Sequence, residues 1–569
     1  MLLRLVESLL IHLFNNVRRG RGKSKTLPEE TPEVPDDHIV LGDIISGDTE
    51  DHPGSAKKPR SARVATISPE ARRRHLYVLG ATGTGKTNLF LRLIESDIAH
   101  QRAFCVIDLR GDLVDRILPR LAETAPPAAW RERLLLIDLR HSEDIVGFNP
   151  LLGEGDVYNR ALHILSVLKQ QSESWGVQLE ESLRNCLIAL AEAGWSLLEI
   201  EPLLTNTGFR NEVLAQISDS HVKNFFTRYE QMSGSNQLAA ASAVLNKVTP
   251  LIAIPQLRLL YGQRTSFSFR RLLDEQPGMI ILISLAKDQL HDAGRLAGGL
   301  FVSAFETAIM SRIDQPESDR IPVHLYVDEF ETMAAERFES IVAEGRRFGL
   351  GLGLSHQNLS QLSPALRNIL RNIVHTQVYF QTGALDAAEL AKEISCKESR
   401  EEIRATIISQ GVGEAYLVRR GQPSVRIRTA RCPDPKVKPQ EVAALRQASF
   451  ATYARARAAV EQELKEREQV LASLDSKTAK TVKPTYEIRH GKTTSFKPKQ
   501  KAAAIPDDEQ PDAKPRGGTG VQPSVENQAT ATPDIEQPEK AKPKTRKAQP
   551  KTSKARKKGA NGNKPNEPQ

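Results

Sequence analysis

HLYVLGATGTGKTNLFLRLIES, residues 75–96, is the stretch on which the fold turns. A short apolar run, Leu76 to Leu79, meets a glycine-rich turn, and apolar residues then recur at helical spacing, at Leu89, Phe90, Leu93 and Ile94. The turn fits the phosphate-loop pattern G-x-x-x-x-G-K-[ST] with Gly80, Ala81, Thr82, Gly83, Thr84, Gly85, Lys86 and Thr87. The glycines let the backbone curl until successive N–H groups point at phosphate oxygens. Lys86 then reaches the β- and γ-phosphates, and Thr87 offers its hydroxyl to Mg²⁺. The following helix N-terminus favours the same anion. ATP with Mg²⁺ is therefore the expected ligand and cofactor. A dinucleotide fingerprint, G-x-G-x-x-G, has a different glycine order and would leave Lys86 and Thr87 unexplained. The bland alternative is a glycine-rich loop with no ligand.

Outward from the loop, apolar runs and helical stretches alternate. AFCVIDLRGDLVDRIL (103–118), LLLIDLR (134–140), GMIILISLA (278–286) and IVHTQVYFQTG (373–383) each contain a buried-strand pattern. Such alternation predicts a mostly parallel sheet covered on both faces, with ligand groups at strand C-termini. Asp108 and Asp112 stand at one such end and read as turn carboxylates. HIVLGDII (38–45) predicts a strand leading in, and GVGEAYLVRRGQPSVRIRTA (411–430) a hairpin turning at 420–423. Residues 155–275 contain helical stretches and few β-branched runs, which predicts an all-helical subdomain inserted into the sheet order. Residues 442–475 read as one helix.

VHLYVDEF closes the engine: a buried strand ending in two acids, Asp328 and Glu329. The first is placed to hold the Mg²⁺ shell, the second to orient or deprotonate the attacking water. Beyond it, EGRRFGLGLGLSHQ predicts a helix end near 348–349 and a further strand ending at Gln357, placed to contact the γ-phosphate or the water. Arg346 and Arg347 are candidates for an arginine supplied to a neighbouring copy's nucleotide, against the alternative of a solvated helix end.

Together HLYVLGATGTGKT, VIDLRGDLVDRIL, IVGFNPL, WGVQLEESLRNCLIAL, VLNKV, LYVDEF and GRRFGLGLGLSHQNLSQL resemble the HerA/FtsK superfamily of ring ATPases. Within it the chain looks most like the VirD4/TraG/TraD-like conjugative coupling proteins of type IV secretion. The resemblance covers about 38–430. It implies a RecA-like P-loop NTPase core with an inserted helical subdomain, a ring that is commonly hexameric, and ATP-driven movement of DNA. It implies catalytic roles for Lys86, Glu329, Arg346 (in trans) and Gln357 (as sensor), with Thr87 and Asp328 on the metal. Relaxase or secretion-channel proteins are the implied partners. Relatives read DPHGD or DPKGD where this chain has DLRGD at 108–112, and little catalytic effect is expected from Leu109 and Arg110. Membrane-anchored relatives begin with a pair of transmembrane helices that has no counterpart here. A HerA-like translocase feeding a nuclease is therefore an alternative. A nucleotide-gated scaffold is another, and it would call for a degraded Glu329 or Gln357; neither is degraded.

The 569 residues carry a formal net charge of +9, compatible with nucleic acid or an anionic membrane surface. Cys105, Cys186, Cys396 and Cys432 are scattered and form no zinc-site spacing, as in a reduced intracellular protein. MLLRLVESLLIHLFNNV (1–17) is interrupted by Arg4, Glu7 and His12, and falls short of a membrane span. With RRGRGKSK behind it, it suits a helix on an anionic membrane or on a partner. The expected location is cytoplasmic, with peripheral contact at the inner membrane face. Residues 505–539 hold eight acids and two basic residues, whereas 540–558 hold ten basic residues and no acid. Beyond 480 the composition is that of a disordered tail, and its basic block suits DNA phosphates or simple solubility. The expected layout is an N-terminal amphipathic helix and linker (1–37), the first part of the ATPase domain (38–154), the helical insert (155–275), the second ATPase part (276–435), a C-terminal helix (436–480) and the tail (481–569).

Overall fold

The computed structural model describes residues 35–45, 64–141, 143–172, 174–333 and 337–481. The N-terminal helix expected over 1–17, the linker after it, the loop at 48–61 and the tail beyond 481 lie outside these residues.

The strands in chain order are β1 (Ile39–Ile44), β2 (Val64–Ile67), β3 (Leu76–Leu79), β4 (Ala103–Asp108), β5 (Leu134–Asp138), β6 (Asp144–Val146), β7 (Ile280–Ser284), β8 (Val323–Asp328), β9 (Leu350–His356), β10 (Thr376–Tyr379), β11 (Glu414–Arg419), β12 (Val425–Thr429) and β13 (Ala454–Ala456). Eleven of them form one sheet in the order β2-β1-β12-β11-β10-β3-β9-β8-β4-β7-β5. From β10 to β5 every pairing is parallel. The hairpin β11–β12 and the pair β1–β2 extend it antiparallel. The expected mostly parallel sheet is present, with this antiparallel wing added.

Period-2 alternation splits each central strand between two cores. On one face Tyr77, Leu79, Cys105 and Ile107 join the core shared with the inserted helices. On the other, Leu76, Val78, Phe104 and Val106 pack under Leu89, Phe90 and Leu93 of the Lys86–Ala99 helix and under Leu113, Ile117 and Leu121 of the Asp112–Thr124 helix. Both faces are buried, which is why these strands read as unbroken apolar runs.

Between β6 and β7 the chain is helical among the described residues, from Val157–Gln170 through Val177–Glu192 and Gly234–Ile252 to Phe269–Glu275. The long Lys287–Met310 helix after β7 ties this region to the sheet. His163 Nδ1 lies 2.7 Å from the Thr307 hydroxyl, and Phe148 stacks on Phe301 at 4.3 Å. Lys287–Asp314 is also, among the described residues, a single helical stretch long and apolar enough to cross a membrane, but 72% of its most apolar window is buried inside the protein, as in a core helix.

The stretch read as one helix over 442–475 is two, Pro439–Tyr453 and Arg457–Thr481, parted by β13. Three extended residues pair β13 with β6, Ala454 opposite Val146. Leu445 and Phe450 of the first helix are buried in the sheet-side core, while Val460 and Leu464 of the second pack with Ile145 and Leu259. Each helix serves a different core, so the chain has to change direction between them.

Candidate functional site

The loop between β3 and the Lys86–Ala99 helix lies at the C-terminal edge of the parallel strands. Gly83 and Gly85 turn through φ values of +79° and +126°, a region that side-chain-bearing residues rarely enter. Gly80 is needed for closeness: a Cβ there would come within 2.6 Å of the Phe380 Cβ. Neighbouring strands hold the loop, with the Ala81 N–H donating to Gln381 O and the Gly413 N–H to Thr84 O, both at 2.8 Å. Lys86 is buried, and its ammonium donates to the loop's own carbonyls, Gly80 O at 2.7 Å and Ala81 O at 3.0 Å. Burial pulls its pKa down, and Asp328, Glu329 and Glu331 pull it back up.

β8 delivers Asp328 and Glu329 beside this loop. The Ser355 hydroxyl at the end of β9 and the Glu329 N–H (3.1 Å) both donate to Asp328 Oδ1. Among the described residues its Oδ2 accepts no hydrogen bond. Burial pushes the Asp328 pKa up against these hydrogen bonds. Glu329 has φ +53°, strained for a residue with a side chain, and marks the point where the chain leaves the strand.

Gln357 follows β9. Its Nε2 donates to Glu329 Oε1 at 3.0 Å, while its Oε1 accepts from the Thr82 hydroxyl at 3.2 Å. A continuous line, Thr82–Gln357–Glu329, thus joins the phosphate loop to the second acid. Beneath it the Tyr77 hydroxyl pairs with His356 Nε2, and burial pushes the His356 pKa down to about 3, so this imidazole is neutral.

Two cations that sequence reasoning did not place in the site complete it. Arg110 Nη2 lies 3.0 Å from Glu329 Oε1, and Lys287 Nζ lies 3.1 Å from Glu329 Oε2. Arg110 was legible as a basic residue after a strand end. Lys287 follows β7, and only the sheet order, which places β4 between β8 and β7, brings it to the acid. Glu331, two residues past Glu329, is a further unforeseen carboxylate in this neighbourhood. Asp108 has a turn role: its carboxylate accepts the N–H groups of Arg110, Leu113 and Val114 at 2.7–3.1 Å. Asp112 is exposed.

Arg346 and Arg347 stand at the other edge of the sheet. They precede β9, whereas Gln357 follows it, and the strand's seven residues span about 20 Å. With Glu70, Arg73 and Glu317 they line a cleft of about 350 Å³. Neither arginine reaches the phosphate loop of its own chain.

A family model described as the type IV secretion-system coupling protein DNA-binding domain matches residues 60–125 and 188–453, more than half of the chain. The chain belongs to this family. The matched ranges of this coupling-protein chain hold the phosphate loop, Arg110, Lys287, Asp328, Glu329, Arg346 and Gln357, and leave out 126–187, with β5 and β6. Among solved structures it resembles the plasmid coupling protein TrwB in complex with ADP and Mg²⁺, at 16% identity over 74% of this chain and 99% of that one, with a TM-score of 0.49. It resembles TrwB with a non-hydrolysable ATP analogue at 18% identity, over 74% and 98%, with the same TM-score. VirB4 of Thermoanaerobacter pseudethanolicus is similar at 13% identity, over 71% and 97%, with a TM-score of 0.46. No curated protein matches the coupling-protein chain.

Proposed function

We propose that this coupling-family protein is a Mg²⁺-dependent ATPase that moves DNA through a homo-oligomeric ring of six copies during conjugative or type IV secretion transfer. The observation that carries the reading is the hydrogen-bonded line from Thr82 through Gln357 to Glu329, which connects a phosphate loop to a strand-end acid. In hydrolysis the water oxygen bonds to the γ-phosphorus and the bond to the β–γ bridging oxygen breaks, its electron pair leaving with ADP. Glu329 accepts the proton that the water loses. Lys86 carries charge developing on the β- and γ-oxygens. Thr87 and Asp328 would hold Mg²⁺: a hydroxyl and a carboxylate are hard oxygen donors, and the ion would supply charge neutralisation at the phosphates.

Arg346, at the opposite end of β9 from Gln357, serves the nucleotide of the next copy. The helices of 155–275, placed outside the strand order, are the surface for relaxase or channel proteins. The sequence of residues 1–25, apolar and then basic, is the part suited to peripheral membrane contact. The test is nucleotide affinity measured beside steady-state phosphate release. Lys86→Ala weakens binding, while Glu329→Gln still binds nucleotide and loses turnover by about 10²-fold or more. Near-normal turnover in Glu329→Gln removes that residue from water activation.

A further inference from the structure

The Glu329 carboxylate has four lone-pair directions, and three are occupied: Oε1 by Arg110 (3.0 Å) and Gln357 (3.0 Å), Oε2 by Lys287 (3.1 Å). A base needs a free lone pair facing the water it deprotonates. Here each oxygen is in an ion pair, and the one direction left is on the Oε2 that Lys287 holds.

The two cations are unequal. The Arg110 side chain is 44% exposed, so water screens its pair, whereas those of Lys287 and Glu329 are 21% and 13% exposed. Lys287 is the stronger hold. It also sits on a distinctive turn. Ala286, just before it, has φ +49°, and His291, four residues on, has φ +47° and ψ −122° inside an otherwise helical run. Such strained backbone persists only where surroundings enforce it, and it gathers at switch segments. Here the Leu285 N–H donates to Asp108 O at 3.0 Å and the Lys287 N–H to Leu109 O at 2.9 Å, so the turn is stitched to the end of β4, which also carries Arg110. Beyond the turn, the same helix runs to Thr307 and its contact with His163 on the first inserted helix.

We propose that Lys287, with Arg110, is a positioning clamp that withholds the hydrolytic carboxylate until a γ-phosphate draws the cations off it. The argument is one of competition. A γ-phosphate carries more negative charge than a carboxylate and offers three acceptor oxygens to charged donors. It enters beside Thr82 and Gln357, one hydrogen bond away from Glu329. Once Lys287 and Arg110 turn toward it, Glu329 keeps only Gln357 and has the whole of Oε2 released from its ion pair for water. Restraint in the empty state and readiness in the loaded state then come from the same two side chains, and the Lys287 helix carries the change toward the inserted helices. This inference rests on the ATPase reading above.

The test is a double-mutant cycle on the full-length chain. The readouts are affinities for ADP and for a non-hydrolysable ATP analogue, followed by fluorescence anisotropy. Glu329→Gln frees the two cations, so analogue affinity rises about tenfold relative to ADP. In a Lys287→Met/Arg110→Leu background the same change gives no such gain. In turnover, Lys287→Met raises the DNA-free rate severalfold and shrinks stimulation by DNA, and Lys287→Arg restores the restraint. Additive effects in the binding cycle, or a DNA-free rate that falls in Lys287→Met protein whose melting temperature is unchanged, overturn the clamp. A wild-type protein that hydrolyses no ATP overturns the ATPase reading instead, so the two failures are distinguishable. Should Lys287→Met fail to fold, Arg110→Leu alone carries the cycle with a smaller gain.

Discussion

Glu331 shows what a single residue adds at this site. It lies two positions beyond Glu329, and its Oε2 is buried without a hydrogen-bond partner among the described residues. Burial, helped by the neighbouring Glu329 and Asp328, pushes its pKa from 4.5 up to about 7. Between these values the folded protein holds a proton that the unfolded chain has released. Stability therefore falls as pH rises through the window from about 4.5 to 7, and the penalty is fully present above it. Glu331→Gln removes the penalty. The variant melts at the same temperature as wild type at pH 4.5 and several degrees higher at pH 8, in nucleotide-free protein followed by circular dichroism. Equal melting temperatures at pH 8 would show that the carboxylate is solvated in the folded state. Glu331 was not legible in VHLYVDEFET because its burial depends on how the turn after β8 packs.

Among the elements, the C-terminal pair of helices departs most from the sequence reading. Apolar spacing over 442–475 reads as one helix, and no proline or glycine marks the break at 454–456. The break comes from pairing with β6, a contact some 300 residues away in sequence. The second helix then straps the inserted region: the Asn206 amide donates to Leu471 O at 2.8 Å, and Arg467 Nε lies 3.2 Å from Glu199 Oε1, with Glu199 only 2% exposed. Removing one partner of a buried pair strands the other, at a cost of about 3 kcal/mol. Arg467→Met is accordingly expected to speed hydrogen exchange across 196–217 while leaving β3, β4 and β8 protected. Uniform loosening of sheet and insert alike would show that the strap acts on global stability instead. The hairpin β11–β12, by contrast, was legible, since its alternation and the turn at 420–423 are both local signals.

For the whole molecule the decisive feature is that Arg346 and the phosphate loop occupy opposite edges of one sheet. A head-to-tail ring brings one edge to the other, and such heterologous contacts close only at a fixed rotation. Mixed assemblies of Arg346→Ala and Glu329→Gln copies are expected to recover ATPase activity above the sum of the two alone, because some interfaces pair an intact arginine with an intact site. Verified mixed rings without recovery, or full-rate hydrolysis by a demonstrated monomer, would remove the trans arrangement. The tail enters at the same scale. Deleting 540–569 takes away the ten basic residues of 540–558 and should lower both DNA affinity and its salt dependence, with basal ATPase intact. Anisotropy across a salt series checks this, and an unchanged slope would leave the block as a solubility device.

What the sequence determined by itself is local and periodic. The phosphate loop, the buried strands with their strand-end acids at 328–329 and the all-helical character between β6 and β7 follow from short-range spacing, and the family from the resemblance of its motifs. In a two-sided parallel sheet every central strand has to be apolar, and every ligand-facing group has to follow a strand end. Tertiary structure alone decided which strand ends meet. Sheet order put Lys287 and Arg110 on Glu329, hung Gln357 between Thr82 and Glu329, and set Arg346 across the sheet from its own loop. Those pairings join residues up to 275 positions apart. A linear pattern carries the period of an element but not the identity of its neighbour, and in this protein the neighbours hold Glu329.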